Sequence, residues 1–166
     1  MRVLRTIASE VGRGLIAGFV GAVAMTIAST IEMKLRRRPP SSAPADAAGK
    51  VLGVKPRDEK GKQRFATVVH YAYGSGWGLA RAAIAAATCA GRRQRAWHAS
   101  PTSVASIVGP IAHFAIVWGA SLAMLPALGI AKPFWRWGAK EVAIDALHHT
   151  VYAAATDGAY RLLGRA

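Results

Sequence analysis

The chain has 166 residues, with 22 Lys plus Arg against 8 Asp plus Glu and a formal net charge of +14. Only 18% of residues are charged and 52% are hydrophobic, and the mean hydropathy is +0.23, a balance that excludes intrinsic disorder. The single cysteine, Cys89, excludes an internal disulfide framework and a CxxC-type zinc site, and the positive hydropathy argues against the nucleic-acid partner that a pI near 11.1 ordinarily suggests.

Met1 to Arg13 is a short basic segment in which Val3, Leu4, Ile7 and Val11 recur at helical spacing, the pattern of a helix lying in the headgroup plane. Gly14 to Ile31 then runs for eighteen residues without Asp, Glu, Lys, Arg or His. A bilayer core needs about 20 largely apolar residues per helix, so this run predicts a first transmembrane helix over 13–33. Ala22-Val23-Ala24 resembles a signal-peptide cleavage site. The apolar run continues past it to Ile31, whereas signal cores span only about 7–15 residues. Residues 34–64 form the one long loop: basic at Lys34 and Arg36 to Arg38, halted by Pro39 and Pro40, and polar from Lys55 to Arg64. Within it Ser42, Pro44 and Gly53 are placed to cap, start and stop a short helix.

A second transmembrane helix is predicted over 65–90, where His70 and Arg81 interrupt the apolar run, and a third over 103–127, which carries only His113. Between them lies a turn at 91–102; another turn follows at 128–139. The fourth predicted helix, 140–163, is apolar in outline but carries Glu141, Asp145, His148, His149, Asp157 and Arg161. A soluble helical domain would need a charged outer face, and the first three helices have none. The expected fold is all-α: a single membrane domain over 1–166, an integral four-helix bundle. Lys and Arg number thirteen on the side of the long loop and eight on the other, which places that loop in the cytoplasm and both termini outside. Anionic lipid headgroups are the expected contact of the basic loop. Trp77, Trp97, Trp118, Trp135 and Trp137 include interfacial anchors, the last two above all.

Small residues recur four apart at Gly14, Gly18 and Ala22, at Gly74 and Gly78, and at Gly119 and Ala123, a spacing that lets helix backbones approach closely in lipid and admits self-association. On the fourth helix Glu141, Asp145, His148, His149, Tyr152 and Thr156 share about one third of the circumference. A central acid facing lipid costs roughly 2.5–3.5 kcal/mol, so this stripe must face inward. The second helix offers His70, Gly74, Trp77, Arg81 and Thr88 as a matching face. Matching depths predict two layers: a cluster of Glu32, His70, Glu141, Asp145 and His148, and a weaker distal pair, Arg81 with Asp157. The series His70, Tyr73, Gly78, Arg81 is echoed by His149, Tyr152, Gly158, Arg161, a faint internal repeat.

Three readings compete for these polar residues. They serve as internal glue, as a proton or small-solute path, or as a haem or metal site built from Asp145-x-x-His148 with Glu32 and His70, or from His113. No Ser-His-Asp order, phosphate loop, HExxH or paired-carboxylate motif supports an enzyme. The expectation is a non-enzymatic membrane module with no cofactor and no nucleic-acid partner.

The pattern resembles the YagU-like family of small bacterial inner-membrane proteins. The matching residues are Gly14 to Gly18, Glu32, Pro39-Pro40-Ser41, Pro126, Gly129, Pro133, Trp135, Trp137, Glu141, a histidine of the fourth helix and Tyr152. The resemblance covers both ends of the chain and little of the middle. It implies a bacterial inner-membrane protein and transfers no catalytic residues. An excess of Arg over Lys, 15 to 7, suits a bacterial source with GC-rich coding.

Overall fold

The structure, a computed structural model, describes residues 2–90 and 104–164. The expected turn at 91–102, its arginines and Trp97 lie outside the described residues. Among the described residues the protein is all-helical. Five α-helices follow one another: α1 (Arg2–Arg36), α2 (Ala43–Leu52), α3 (Glu59–Ala90), α4 (Val104–Ala127) and α5 (Ala139–Leu163), with a 3-10 turn at Phe134–Arg136 before α5.

Two helices start earlier than their apolar runs. The basic N-terminal segment is continuous with α1 rather than a separate interfacial piece, because nothing between Arg2 and Arg13 breaks the helix and Arg13 pairs with Glu10 one turn before it at 3.1 Å. Likewise the polar stretch read as loop up to Arg64 is already helical from Glu59. Asp58 caps it: its Oδ1 accepts the Gly61 N–H at 2.6 Å. Hydropathy reports where lipid would begin, not where a helix does.

The turn chemistry sets the other ends. Arg37 takes a left-handed φ of +51°, and the Arg38 N–H reaches back to Met33 O at 3.1 Å, so α1 closes before Pro39. The short helix expected between Ser42 and Gly53 is α2. Gly53 stops it at φ +68°, with Val54 N–H donating to Gly49 O, while the Ser42 side chain makes no bond to the helix's free N–H groups. Gly129, at φ +65°, ends α4 in the same way.

Helix α1 is the centre of the packing, lying between α3 and α5, while α4 closes the far side by touching both. Neighbours run antiparallel. Gly14 meets Gly78 while Gly18 meets Gly74 across α1 and α3, and Gly21 meets Thr156 across α1 and α5. The α1–α3 seam is backbone against backbone. A Cβ on Gly18 would stand 2.5 Å from Gly74 O, and one on Gly74 would stand 2.7 Å from the Ala22 Cβ. Gly119, by contrast, faces open space, so the third small pair does not take part in helix packing here.

The distribution of polarity is inverted. The largest fully buried side chains are His113 and Thr156, whereas aliphatic residues of α1 and α4 point outward, Ile27 at 57% and Leu35 at 79% exposed. Leu4–Arg36 and Ile107–Ala127 are both long and apolar enough to cross a membrane. Within the most apolar eighteen-residue stretch of each, only 28% of the first and 17% of the second is buried inside the protein, unlike the core helix of a soluble domain.

At the loop end, Ala45 and Ala47 of α2 are buried, Asp46 pairs with Lys62 of α3 at 3.0 Å, and Lys50 Nζ donates to Leu128 O at 2.5 Å. The long loop and the 128–138 turn therefore share one end of the molecule. The Ser42 hydroxyl and the Lys62 ammonium hold the Asp46 carboxyl below its usual value. A depressed folded pKa contributes stability above the ordinary aspartate value, about 3.9, and loses it as pH falls through the folded one.

Two outcomes are expected. Gly18→Leu lowers stability by about 1–3 kcal/mol in thermal melts in detergent, whereas Gly119→Leu leaves the melting temperature unchanged. Amide protection of α2, corrected for intrinsic exchange, falls as pH drops below about 4, and Asp46→Asn removes that dependence.

Candidate functional site

The polar residues singled out from the sequence fall into five groups, and the helix order explains the division. Because α1 lies between α3 and α5, a side chain on α3 most easily finds a partner on α1. His70 does this: its Nε2 lies 3.0 Å from Thr26 Oγ1. Thr26 commits its hydroxyl proton to Ala22 O at 2.8 Å, so His70 Nε2 is the donor. The expected pairing of His70 with Asp145 at matched depth does not form.

The second group closes the loop end. Glu32 accepts from Arg36 at 3.1 Å and from Arg38, while Arg36 also forms a two-pronged pair with Glu141 of α5 at 3.1 and 2.5 Å. Arginines read from the sequence as topology signals are thus also the partners of two of the predicted cluster acids. A fork-shaped guanidinium suits this bridging.

Asp145 stands apart from that cluster. Its Oδ2 accepts the indole N–H of Trp118 on α4 at 2.8 Å, and His149 Nδ1 lies 2.9 Å from the Asp145 carbonyl oxygen and 3.6 Å from its carboxylate. His148 is buried on the same helix with no partner for Nε2. The five-residue first layer is therefore three separate contacts plus His148. Among the described residues no three His, Cys, Asp or Glu side chains converge as a metal site, so the shell of Glu32, His70, Asp145 and His148 is not assembled.

The fourth group holds the predicted distal pair and exceeds it. Arg81 Nε donates to Asp157 Oδ1 at 2.8 Å, both side chains being buried, and Arg161 Nε lies 2.7 Å from the other oxygen of the same carboxylate. The pair expected to be the weaker is the most enclosed ion pair among the described residues. Gly109 of α4 explains the access, since a Cβ there would stand only 3.3 Å from Arg81 Nη2. The repeat-related arginines, Arg81 and Arg161, share one carboxylate.

Sequence reasoning missed the rest of this group. The Tyr160 ring lies between two guanidiniums, Arg13 Cζ at 3.9 Å and Arg81 Cζ at 4.6 Å from its centroid. Its hydroxyl donates to Glu10, and its carbonyl accepts from Arg13 Nε at 2.7 Å. The available signal was spacing: His148, Tyr152, Thr156 and Tyr160 recur every four residues on the buried face of α5.

At mid-length, Tyr152 OH donates to Gly74 O at 2.6 Å, and His113 Nε2 lies 3.1 Å from Trp77 O. The two rings sit 5.6 Å apart. His113 Nδ1 and Thr156 Oγ1, both fully enclosed, have no hydrogen-bond partner among the described residues. Neither a protein-family model, nor a curated protein, nor a solved structure matches the chain.

Asp157→Ala leaves the buried Arg81 without its carboxylate and costs about 3–5 kcal/mol. Arg81→Ala costs less, because Arg161 still faces the carboxylate. A double-mutant cycle on Arg81 and Asp157, read by thermal unfolding, gives a nonzero coupling energy; additive losses would show that the pair contributes nothing.

Proposed function

We propose that the chain is a small multi-pass module of the bacterial inner membrane, non-enzymatic and structural or regulatory. In it α1, α3, α4 and α5 all cross the bilayer, and the polar residues act as interhelical ties. The observation that carries this reading is the inverted distribution of polarity: His113 and Thr156 inside, the aliphatic side chains of α1 and α4 outside. In water such a surface would be penalised over most of its area; in hydrocarbon it is the favourable arrangement. Helices α3 and α5 lie along the apolar length of α1, through Gly18–Gly74 and Gly21–Thr156, which supports a shared depth. Arg81 turns inward to Asp157, while Asp145 and His70 bond Trp118 and Thr26, which supports a crossing by α3 and α5 despite their polar residues. The basic long loop and the 128–138 turn share one end, in keeping with a cytoplasmic placement of that end. The resemblance to the YagU-like family supports the same setting.

A second reading, proton passage along α5, is favoured by the unpartnered His148 Nε2, His113 Nδ1 and Thr156 Oγ1, three buried polar atoms of the kind that water would bridge.

The two readings separate in one experiment. The full chain stays in the membrane pellet after alkaline carbonate extraction. On the glue reading His70→Ala and Asp145→Ala each lower stability by about 1 kcal/mol, and liposomes holding the wild type keep an imposed pH gradient. A gradient that collapses with the wild type and survives with a folded His113→Ala protein would replace glue by conduction.

A further inference from the structure

The charges at the loop end do not balance once the ion pairs are drawn. Glu32 and Glu141 are engaged by Arg36 and Arg38, Asp46 by Lys62, and Asp58 caps α3, so that Glu59, exposed in the first turn of α3, is the one further acid to set against the remaining cations. Ten exposed cations remain at this end with no carboxylate within ion-pair distance, counted among the described residues: Lys34, Arg37, Lys50, Lys55, Arg57, Lys60, Arg64, Lys132, Arg136 and Lys140, of which Lys50 donates to the Leu128 carbonyl. Lys60 and Arg64 stand one turn apart on α3, a like-charge spacing that destabilises a helix unless an anion sits between the two.

These two cations share one exposed stripe of α3 with Gln63, Thr67 and Val68. Val68, 66% exposed, follows one turn after Arg64 on this stripe, toward His70 and the apolar part of α3. Cations above and an aliphatic side chain below match the order of a phospholipid, phosphate first and acyl chain next. At the same end of the molecule, α2 and the 3-10 turn expose Val51, Leu52, Val54, Phe134 and Trp135. A nucleic-acid backbone or a soluble anion offers those apolar side chains nothing, whereas the boundary between headgroups and acyl chains takes both kinds.

We propose that α2, the Phe134–Arg136 turn and the first two turns of α3 form a docking surface for the acidic phospholipids of the surrounding leaflet, with Lys60 and Arg64 holding a lipid phosphate above Val68. This rests on the membrane reading of the preceding section. The contact is with headgroups of the layer the protein sits in, and it fixes the α2 platform against that layer.

The test uses the full chain carrying Cys89→Ser, which leaves no native thiol, and Leu52→Cys labelled with a polarity-sensitive dye. The protein is reconstituted in vesicles of phosphatidylcholine alone and in vesicles of equal parts phosphatidylcholine and phosphatidylglycerol. It floats with both vesicle types, and the dye moves to a more apolar environment only in the second. In neutral detergent, phosphatidylglycerol produces the same shift and inorganic phosphate does not. Lys60→Gln with Arg64→Gln raises the half-saturating phosphatidylglycerol about thirtyfold, about 1 kcal/mol per cation, with unchanged helicity; Lys60→Arg with Arg64→Lys restores the wild-type value. Flotation with equal dye signals in both vesicle types overturns the docking surface and leaves the membrane reading intact. Failure to float overturns the membrane reading itself. A shift driven by inorganic phosphate, or one unaltered in the glutamine variant, assigns the surface elsewhere and overturns the proposal.

Discussion

The close approach of α1 to its two neighbours governs everything else in this protein. At Gly18 and Gly78 there is no room for a methyl group between the backbones of α1 and α3, and at Gly21 the same holds toward Thr156 and Tyr152 of α5. Backbones this near exclude large side chains from the seam. Apart from Val117 of α4, the buried hydrophobic residues among the described ones are alanines and tyrosines, among them Ala17, Ala22, Ala153, Tyr152 and Tyr160. The bulky aliphatic residues are left for the outside. A helix pair held this way depends on dispersion and on polar contacts, because exposing aliphatic surface to hydrocarbon costs nothing that burial would recover.

That geometry also dictates the sorting of charge. With α1 between α3 and α5, direct partners across the α3–α5 diagonal are reserved for long side chains. Histidine at position 70 is too short and bonds to Thr26 of α1, whereas Arg81 is long enough to reach Asp157 of α5 past Gly109. Both ends of the helix array are then closed by arginine. One end has Arg36 and Arg38 on Glu32 and Glu141; the other has Arg13, Arg81 and Arg161 around Asp157, Glu10 and Tyr160. The middle, from His148 to Thr156, holds histidine, tyrosine and threonine side chains, and His148 Nε2 and Thr156 Oγ1 have no hydrogen-bond partner among the described residues. Arginine–carboxylate pairs gathered at the two ends are the less costly order for helices crossing an apolar layer.

Basic residues at the loop end accordingly have two distinct jobs. Arg36, Arg38 and Lys62 are consumed inside the fold. Lys60 and Arg64, exposed and facing no carboxylate, are not. Composition counts both sets alike, and only coordinates separate them.

By itself the sequence determined the helical class, the positions of the long helices to within a few residues at their apolar ends, α2 with its Gly53 stop, the glycine faces of α1 and α3, and the existence of an Arg81–Asp157 pair. These follow from local rules: apolar run length, helical periodicity, turn residues and rise per residue. It misjudged the starts of α1 and α3, because charged residues hide a helix from hydropathy although Asp58 can cap one. It joined His70, Glu32 and Asp145 into one cluster, because depth along an axis says nothing about which helices are neighbours. The tertiary structure alone decided that α1 occupies the centre, that Arg36 and Arg38 rather than histidines neutralise Glu32, that Trp118 takes Asp145, and that Tyr160 lies between two arginines. Each of these depends on the lateral order of the helices and the reach of individual side chains, and neither is encoded in any single helix's pattern.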